Sequence, residues 1–391
     1  MLLVAAALML APQLGDGTQP SRFTLPNTFG EAGTGSVEVQ LGLYNRTDNP
    51  GDGNPFLDES LTVIEPIVVF DYNVSDTFAY SGLVVYDNVS SASIERLSEV
   101  PSGLQSGATG DFYAGFDIGA RWKTSDQTFI GARTGFSTEY DYQSIHLGGD
   151  YGWERSDKDA KLTFSLDAFL DTVEPIRFDG TTDPDEDRTS LAATASWFQI
   201  LGPKTQGTFG LTISSQNGFL ETPYNSVILD NGTGIPNTTL HNNATGDQFQ
   251  EELPDSRLRT VAFSRVRHLL SPGNAVELGG RIYSDDWGIG AFELNPRWIK
   301  SFDDGRHILE LRYRFYTQSE ADFFQREIYT GTLPDERTQD FGLGDFTSHT
   351  LGGSWQWNRT ASTRWTFSLD YSMRDDDLQT YYGLMGYRWT F

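Results

Sequence analysis

The chain has 391 residues, no cysteine, and 28 Lys and Arg against 54 Asp and Glu, a formal charge of −26. That balance excludes a nucleic-acid binder, which sets cations against phosphates, and the lack of Cys excludes c-type haem attachment, Cys-ligated iron–sulfur clusters and Cys-based zinc sites. Only 38% of residues are hydrophobic, yet 13% are aromatic and 40 are Gly, a composition suited to strands that turn one face to lipid and the other to water.

Met1–Ala11 (MLLVAAALMLA) is an apolar run followed by a helix-unfriendly stretch from Pro12 to Pro20. It is too short to span a bilayer as a helix. We expect residues 1–15 to be a removed secretory signal and 16–35 a periplasmic lead-in; a short hydrophobic anchor or plug is the alternative. The segment lacks the positive start of such signals, consistent with translation beginning upstream. Beyond it, no apolar run reaches the roughly 18 residues of a membrane helix.

From Ser36 the period is 2, not 3.6. Val37, Val39, Leu41 and Leu43 alternate with Glu38, Gln40 and Gly42, and Phe112, Phe116, Ile118 and Trp122 alternate with Asp111, Asp117 and Arg121. Between Ala79 and Asp87 either parity suits lipid. Tight turns fall at 73–76, 124–127, 156–159, 202–204, 271–274, 303–305 and 358–362. Gly, Pro, Asp, Asn and Ser dominate them because they accept turn dihedrals or bond their own backbone. Longer connections fall at 45–59, 89–110, 172–188, 217–255 and 319–344, with short ones at 140–142, 285–288 and 374–378. This predicts an all-β protein, residues 36–391 forming a single closed antiparallel transmembrane β-barrel of about 16 strands, porin-like, with seven inner turns, eight outer loops and both ends on the turn side. The 217–255 connection is long enough to fold into the lumen or cover the mouth, and its Asn-x-Thr triplets carry little meaning in a bacterial envelope.

The same alternation nominates lumen residues. Apolar partners outside place Arg257, Arg259, Arg265, Arg281, Glu293, Arg297, Glu310, Arg312 and Arg314 on one inner wall, although Val261 and Phe263 share the parity of the first Arg residues. Asp117, Arg121 and Asp150 stand on the facing half, with Asp111, Arg133, Glu139, His146, Glu154, Asp167 and Asp171. Opposed basic and acidic walls make a transverse field that selects charged or polar solutes. The alternative is that these charges pair across neighbouring strands to hold the polar interior together. Acidic loop clusters at 48–52 with Asp58 and Glu59, at 183–187 and at 375–377 are read as solvated rather than Ca²⁺ sites, since none matches a calcium loop. The net charge suits either a salty habitat or an acidic outer face bridged to lipid headgroups by divalent cations.

Enzyme chemistry finds no footing. Adjacent Ser348 and His349 point to opposite faces of a strand, Ser144 and His146 share a face that reads as lumen, and no Gly-x-Ser-x-Gly elbow accompanies a triad. Tyr316–Ser319 (YTQS) shows only a faint likeness to an outer-membrane phospholipase. Histidines occur singly at 146, 241, 268, 307 and 349, so neither a metal site nor another cofactor is expected.

Tyr381–Phe391 (YYGLMGYRWTF) sets Tyr381, Gly383, Met385, Tyr387, Trp389 and Phe391 on one side and Tyr382, Leu384, Gly386, Arg388 and Thr390 on the other. Its ending, with Gly386, Tyr387, Trp389 and Phe391, resembles the C-terminal insertion signal of bacterial outer-membrane barrels, although Leu384 stands where that signal usually has a polar residue. As the closing stave it must pair with 36–44, placing Tyr382, Arg388 and Thr390 beside Glu38 and Gln40. Arg312–Phe324 (RYRFYTQSEADFF) and Asp345–Gly352 (DFTSHTLG) resemble a family of uncharacterised bacterial outer-membrane proteins, a domain of unknown function. That family carries a YRYYTQSAADF-like run and then an SHTLG-like motif; the charged stretch it usually places between them is here Arg337–Asp345 (RTQDFGLGD). The resemblance covers about the last fifth of the chain. It implies a barrel in the outer membrane and transfers no activity.

The expected function is an outer-membrane channel for small polar or charged solutes. The alternative is a plugged structural barrel, or one sheathing a separate periplasmic or redox protein. Expected partners are outer-membrane lipid, the barrel-insertion machinery, and a small solute or protein cargo, with a homo-oligomer as one arrangement.

Overall fold

The computed structural model describes residues 29–47, 60–91, 112–230, 232 and 246–391. The signal-like segment, most of the lead-in, the acidic run at 48–52 with Asp58 and Glu59, Asp111 and the Asn-x-Thr triplets of the long loop lie outside those residues.

Eighteen strands are formed among the described residues. They are β1 (Gly35–Thr47), β2 (Ser60–Ser75), β3 (Phe78–Ser91), β4 (Phe112–Lys123), β5 (Thr128–Thr138), β6 (Tyr142–Glu154), β7 (Ala160–Val173), β8 (Glu186–Gly202) and β9 (Thr205–Gly218), then β10 (Ser226–Leu229), β11 (Asp247–Gln250), β12 (Ser256–Ser271), β13 (Asn274–Asp285), β14 (Gly290–Phe302), β15 (His307–Gln318), β16 (Phe346–Thr360), β17 (Thr363–Arg374) and β18 (Gln379–Thr390). All but β10 and β11 close one barrel, so the predicted sixteen staves, seven short turns and eight connections at the other end are all present. β10 and β11 pair as a separate hairpin inside the longest connection.

Alternation sets the faces. Val39, Leu41, Leu43, Phe116, Ile118, Leu166, Leu278, Ile282 and Leu351 are exposed on the outer wall, while Glu65, Arg121, Arg133, Glu277 and Arg312 are buried on the inner one. β3, ambiguous in sequence, turns Tyr80, Val84 and Tyr86 outward and buries Ser81 and Asp87 inside. The inner wall is not wholly polar, for Val63, Ile67, Phe129 and Val261 are buried among the charges. Eight of the nine Trp residues stand on the outer wall in the half nearer the short turns (Trp122, Trp153, Trp197, Trp298, Trp355, Trp357, Trp365 and Trp389). That is where an interfacial aromatic girdle belongs.

At the β14–β15 turn Asp303, Asp304 and Gly305 take φ of 49°, 52° and 92°. Asp tolerates that left-handed region by bonding its own backbone, and Gly has no Cβ to clash.

β18 closes the barrel on β1 with Ser36 opposite Thr390, Glu38 opposite Arg388 and Gln40 opposite Gly386. One expectation is corrected here. Tyr382 lies opposite Tyr44, six residues from Glu38, and its hydroxyl reaches Glu65 at 3.3 Å. In an antiparallel pair a residue near one end of a strand meets the far end of its partner.

Candidate functional site

The inner wall carries two ionic networks on opposed arcs of the barrel. In a sixteen-stave ring with this order, β4 stands across from β14.

On the first arc, β4 to β7 interlock. His146 Nδ1 lies 2.7 Å from Asp117 and its Nε2 lies 2.8 Å from Asp167, with the ring stacked on Phe169 at 4.5 Å. Arg133 donates to Asp167 at 2.6 Å and also to Asp150, which accepts from Ser165 at 2.6 Å. Further along, Arg188 donates to Asp171 at 2.8 Å, and Ser144 donates to the same carboxylate at 2.6 Å. Arg121 is 1% exposed and lies between two rings, 4.6 Å from the centre of Phe29 and 5.5 Å from that of Phe129. Phe29 precedes β1, so this ring lies within the lumen near the short-turn end.

On the second arc, β12 to β17 interlock. Glu277 receives Arg267 at 2.7 Å, Arg265 at 3.2 Å and Arg297 at 3.9 Å. Arg297 reaches Glu310 at 3.6 Å, and Glu310 meets Arg312 at 3.4 Å. Arg312 donates from Nε to Asp370 at 2.8 Å. Glu293 accepts from Arg314 at 2.8 Å and Arg281 at 3.3 Å. At the long-loop end Arg257 pairs with Asp285 at 2.5 Å and packs over Trp287 at 4.1 Å. Arg259, beside it on the same inner face, is part-buried.

These pairs lie flat against the wall because glycines make room. A Cβ on Gly352 would stand 1.7 Å from Asp370, and one on Gly148 would stand 2.5 Å from Arg133. The nominated lumen residues among those described lie on the inner wall, but they fall into separate networks and converge on no single centre. Sequence reasoning missed Asp370, Asp285 and Arg188 as lumen partners. For Asp370 the signal was present, since Phe367, Leu369 and Tyr371 fix its parity.

Two long connections knit together at the long-loop end. The β10–β11 hairpin buries Val227 and Ile228 completely. Leu229 bridges to Tyr329 and Glu252 to Arg337 in the β15–β16 connection. Ile228 N donates to Gln339 at 2.8 Å. Glu251, 1% exposed, accepts from Thr338 Oγ1 and from Thr222 N. Burial and the nearby Asp340 carboxylate push its pKa up to about 8. The acidic loop residues are engaged locally: Asp183 pairs with Arg177 at 2.5 Å, and Asp376 with Arg374.

At the closing seam Tyr387, Trp389 and Phe391 face outward, with Tyr387 against Trp365 at 4.8 Å and Trp389 against Phe391 at 4.9 Å. Gly386 faces inward, where a Cβ would meet Glu38 at 3.3 Å.

A closed, edgeless antiparallel barrel with an apolar outer wall, an aromatic girdle and a charged interior is a bacterial outer-membrane β-barrel protein. The profile of DUF3570, described as a protein of unknown function, matches residues 114–389. The chain belongs to that family. No curated protein matches the sequence. Among solved structures, Pseudomonas aeruginosa OccK1 (OpdK) is similar with TM-score 0.44 at 7% identity, covering 93% of this chain and 100% of that one. The CymD monoaromatic hydrocarbon channel gives 0.40 at 9% identity, covering 92% and 88%. The siderophore receptor PirA from Acinetobacter baumannii gives 0.45 at 12% identity, covering 89% and 53%.

Proposed function

We propose that this barrel is a channel for small polar or charged solutes, with selectivity set by its opposed ionic arcs. The observation that carries the reading is the imbalance between them. Arg exceeds carboxylate on β12–β15, while β1–β7 add Glu38, Glu65, Asp71 and Asp87 to the acidic side. Sixteen staves enclose enough width for an aqueous path, and fixed charges on its walls align and sort what enters. Pairing along the wall supports the same picture, since it keeps side chains out of the path while leaving the arcs' net charges in place.

Planar-bilayer recording of the purified, folded barrel tests the proposal. Stepwise conductance is expected, and neutralising the Arg arc with Arg281→Gln and Arg297→Gln shifts reversal potentials toward cation preference. A folded barrel that stays silent overturns it.

A second reading is favoured by the knitted cap: a barrel closed at its mouth, structural or sheathing a partner protein. Deletion of residues 220–252 separates the two. Higher conductance after deletion assigns the cap a constricting role in a channel. Silence before and after, together with a stoichiometric co-purifying protein, favours the sheath. In both readings the work is passage or holding rather than catalysis. Ser348 is buried inside while His349 is outside against Tyr313, so the two form no dyad. The Gly386–Phe391 ending is proposed as the handle for the insertion machinery.

A further inference from the structure

On the outer wall at the short-turn rim, Arg306, His307, Trp355, Trp357 and Arg359 line a groove of about 430 Å³. Its floor is a shelf of near-parallel rings. His307 stacks on Trp355 at 5.8 Å and 18°, and Trp355 on Trp357 at 6.4 Å and 6°. Trp355 Nε1 donates to His307 Nδ1 at 3.3 Å, which holds the imidazole in the stack. The shelf continues toward the bilayer interior through Phe367, stacked on Trp355 at 5.6 Å.

Cations stand at its water-side edge. In a chain of charge −26, most described Arg side chains are matched to carboxylates, on the inner wall or in the loops. Arg306 and Arg359 have no ion pair among the described residues, nor does Lys300, which lies over Phe302 at 5.9 Å on the adjacent strand. No carboxylate lines the groove itself. Asp303 and Asp304 line a neighbouring polar cavity that Arg306 and Arg359 also border, without an ion pair to either, and Asp303 comes no closer than 3.9 Å to His307. The groove sits within the Trp girdle, at the depth where headgroup phosphates lie. Unpaired guanidinium groups there reach the headgroup layer while their stems stay in apolar surroundings. Basic pockets at such a depth recognise lipid phosphate.

We propose that this groove binds an anionic glycerophospholipid of the leaflet at the short-turn rim. Its phosphate lies between Arg306 and Arg359 and an acyl chain runs along the Trp355–Phe367 shelf. The inference rests on the outer-membrane placement alone and holds whether or not the lumen conducts.

Native mass spectrometry of the full-length barrel, incubated separately with phosphatidylglycerol, phosphatidylcholine or lipid A, tests it. The wild type is expected to retain one phosphatidylglycerol more firmly than either competitor. The double variant Arg306→Gln/Arg359→Gln, with its heat-shifted gel mobility unchanged, is expected to lose retention by about thirtyfold, as two interfacial cations warrant. Lysines at both positions restore it. Equal retention by wild type and the Gln variant, phosphatidylcholine held as firmly, or displacement by lipid A overturns the proposal. Should the Gln variant fail to fold, brominated-acyl lipids decide with wild-type Trp fluorescence. Stronger quenching by phosphatidylglycerol than by phosphatidylcholine supports the site; equal quenching overturns it.

Discussion

At the scale of single residues, the interior is a set of charge pairs taken from water and laid along a wall. Arg312 and Asp370 show what that requires. Both side chains are nearly solvent-free, at 3% and 5%, so each depends on the other to offset its desolvation. Arg312→Ala leaves a buried carboxylate without its guanidinium, and a loss of about 3–5 kcal/mol is expected in denaturant unfolding followed by intrinsic fluorescence. Gly352→Ala acts on the same pair from a different side, since its methyl must displace Asp370. It should cost about 1–3 kcal/mol by overpacking. If both variants unfold with the wild type, the pair is surface-like and the flat-wall picture fails.

At the scale of elements, the cap is a small core built by two loops rather than by the barrel. Its centre, Glu251, faces the Asp340 carboxylate and the polar groups of Thr338, Thr222 and Asn225. Its folded pKa is raised from 4.5 to about 8. The stability tied to the neutral carboxyl is therefore complete below pH about 4.5 and is lost as pH rises through about 8. Hydrogen exchange at residues 226–229 and 338–340 should quicken across that window, while barrel amides stay protected. Glu251→Gln keeps an acceptor for Thr338 and removes the charge, so its protection relative to the intrinsic exchange rate should be flat with pH. A wild-type cap equally protected at pH 4 and pH 9 would refute this account.

At the scale of the whole molecule, closure is the governing event. Gly35 and Phe391 exchange backbone hydrogen bonds at 2.9 and 3.0 Å, and without them the seam leaves donors and acceptors unpaired beside lipid. Deleting Trp389–Phe391 removes that exchange together with the outer aromatics of the seam. The heat-modifiable folded species should largely disappear from the membrane fraction. Undiminished folded yield would mean that the last three residues serve neither closure nor insertion.

Period-2 alternation and turn chemistry were enough to reach the barrel, its sixteen staves and the inward parity of Arg281, Glu293, Arg297 and Arg312. Side chains on a strand alternate between two faces, and for a membrane barrel those faces are lipid and lumen. β3 resisted because both of its parities are apolar, and only its register against β4 decided it. Partnerships were equally out of reach: Arg312 meets Asp370 across 58 residues and His146 meets Asp117 across 29, distances set by the order and stagger of staves rather than by local pattern. The cap joins loops more than a hundred residues apart, Ile228 to Gln339, and neither loop carries a periodic signal. What the chain by itself determined was therefore which face each stave residue takes, because that follows from its own backbone. Which charges pair, where glycine must admit them and what covers the mouth were decided only by the closed tertiary structure, because closure alone fixes which distant residues become neighbours.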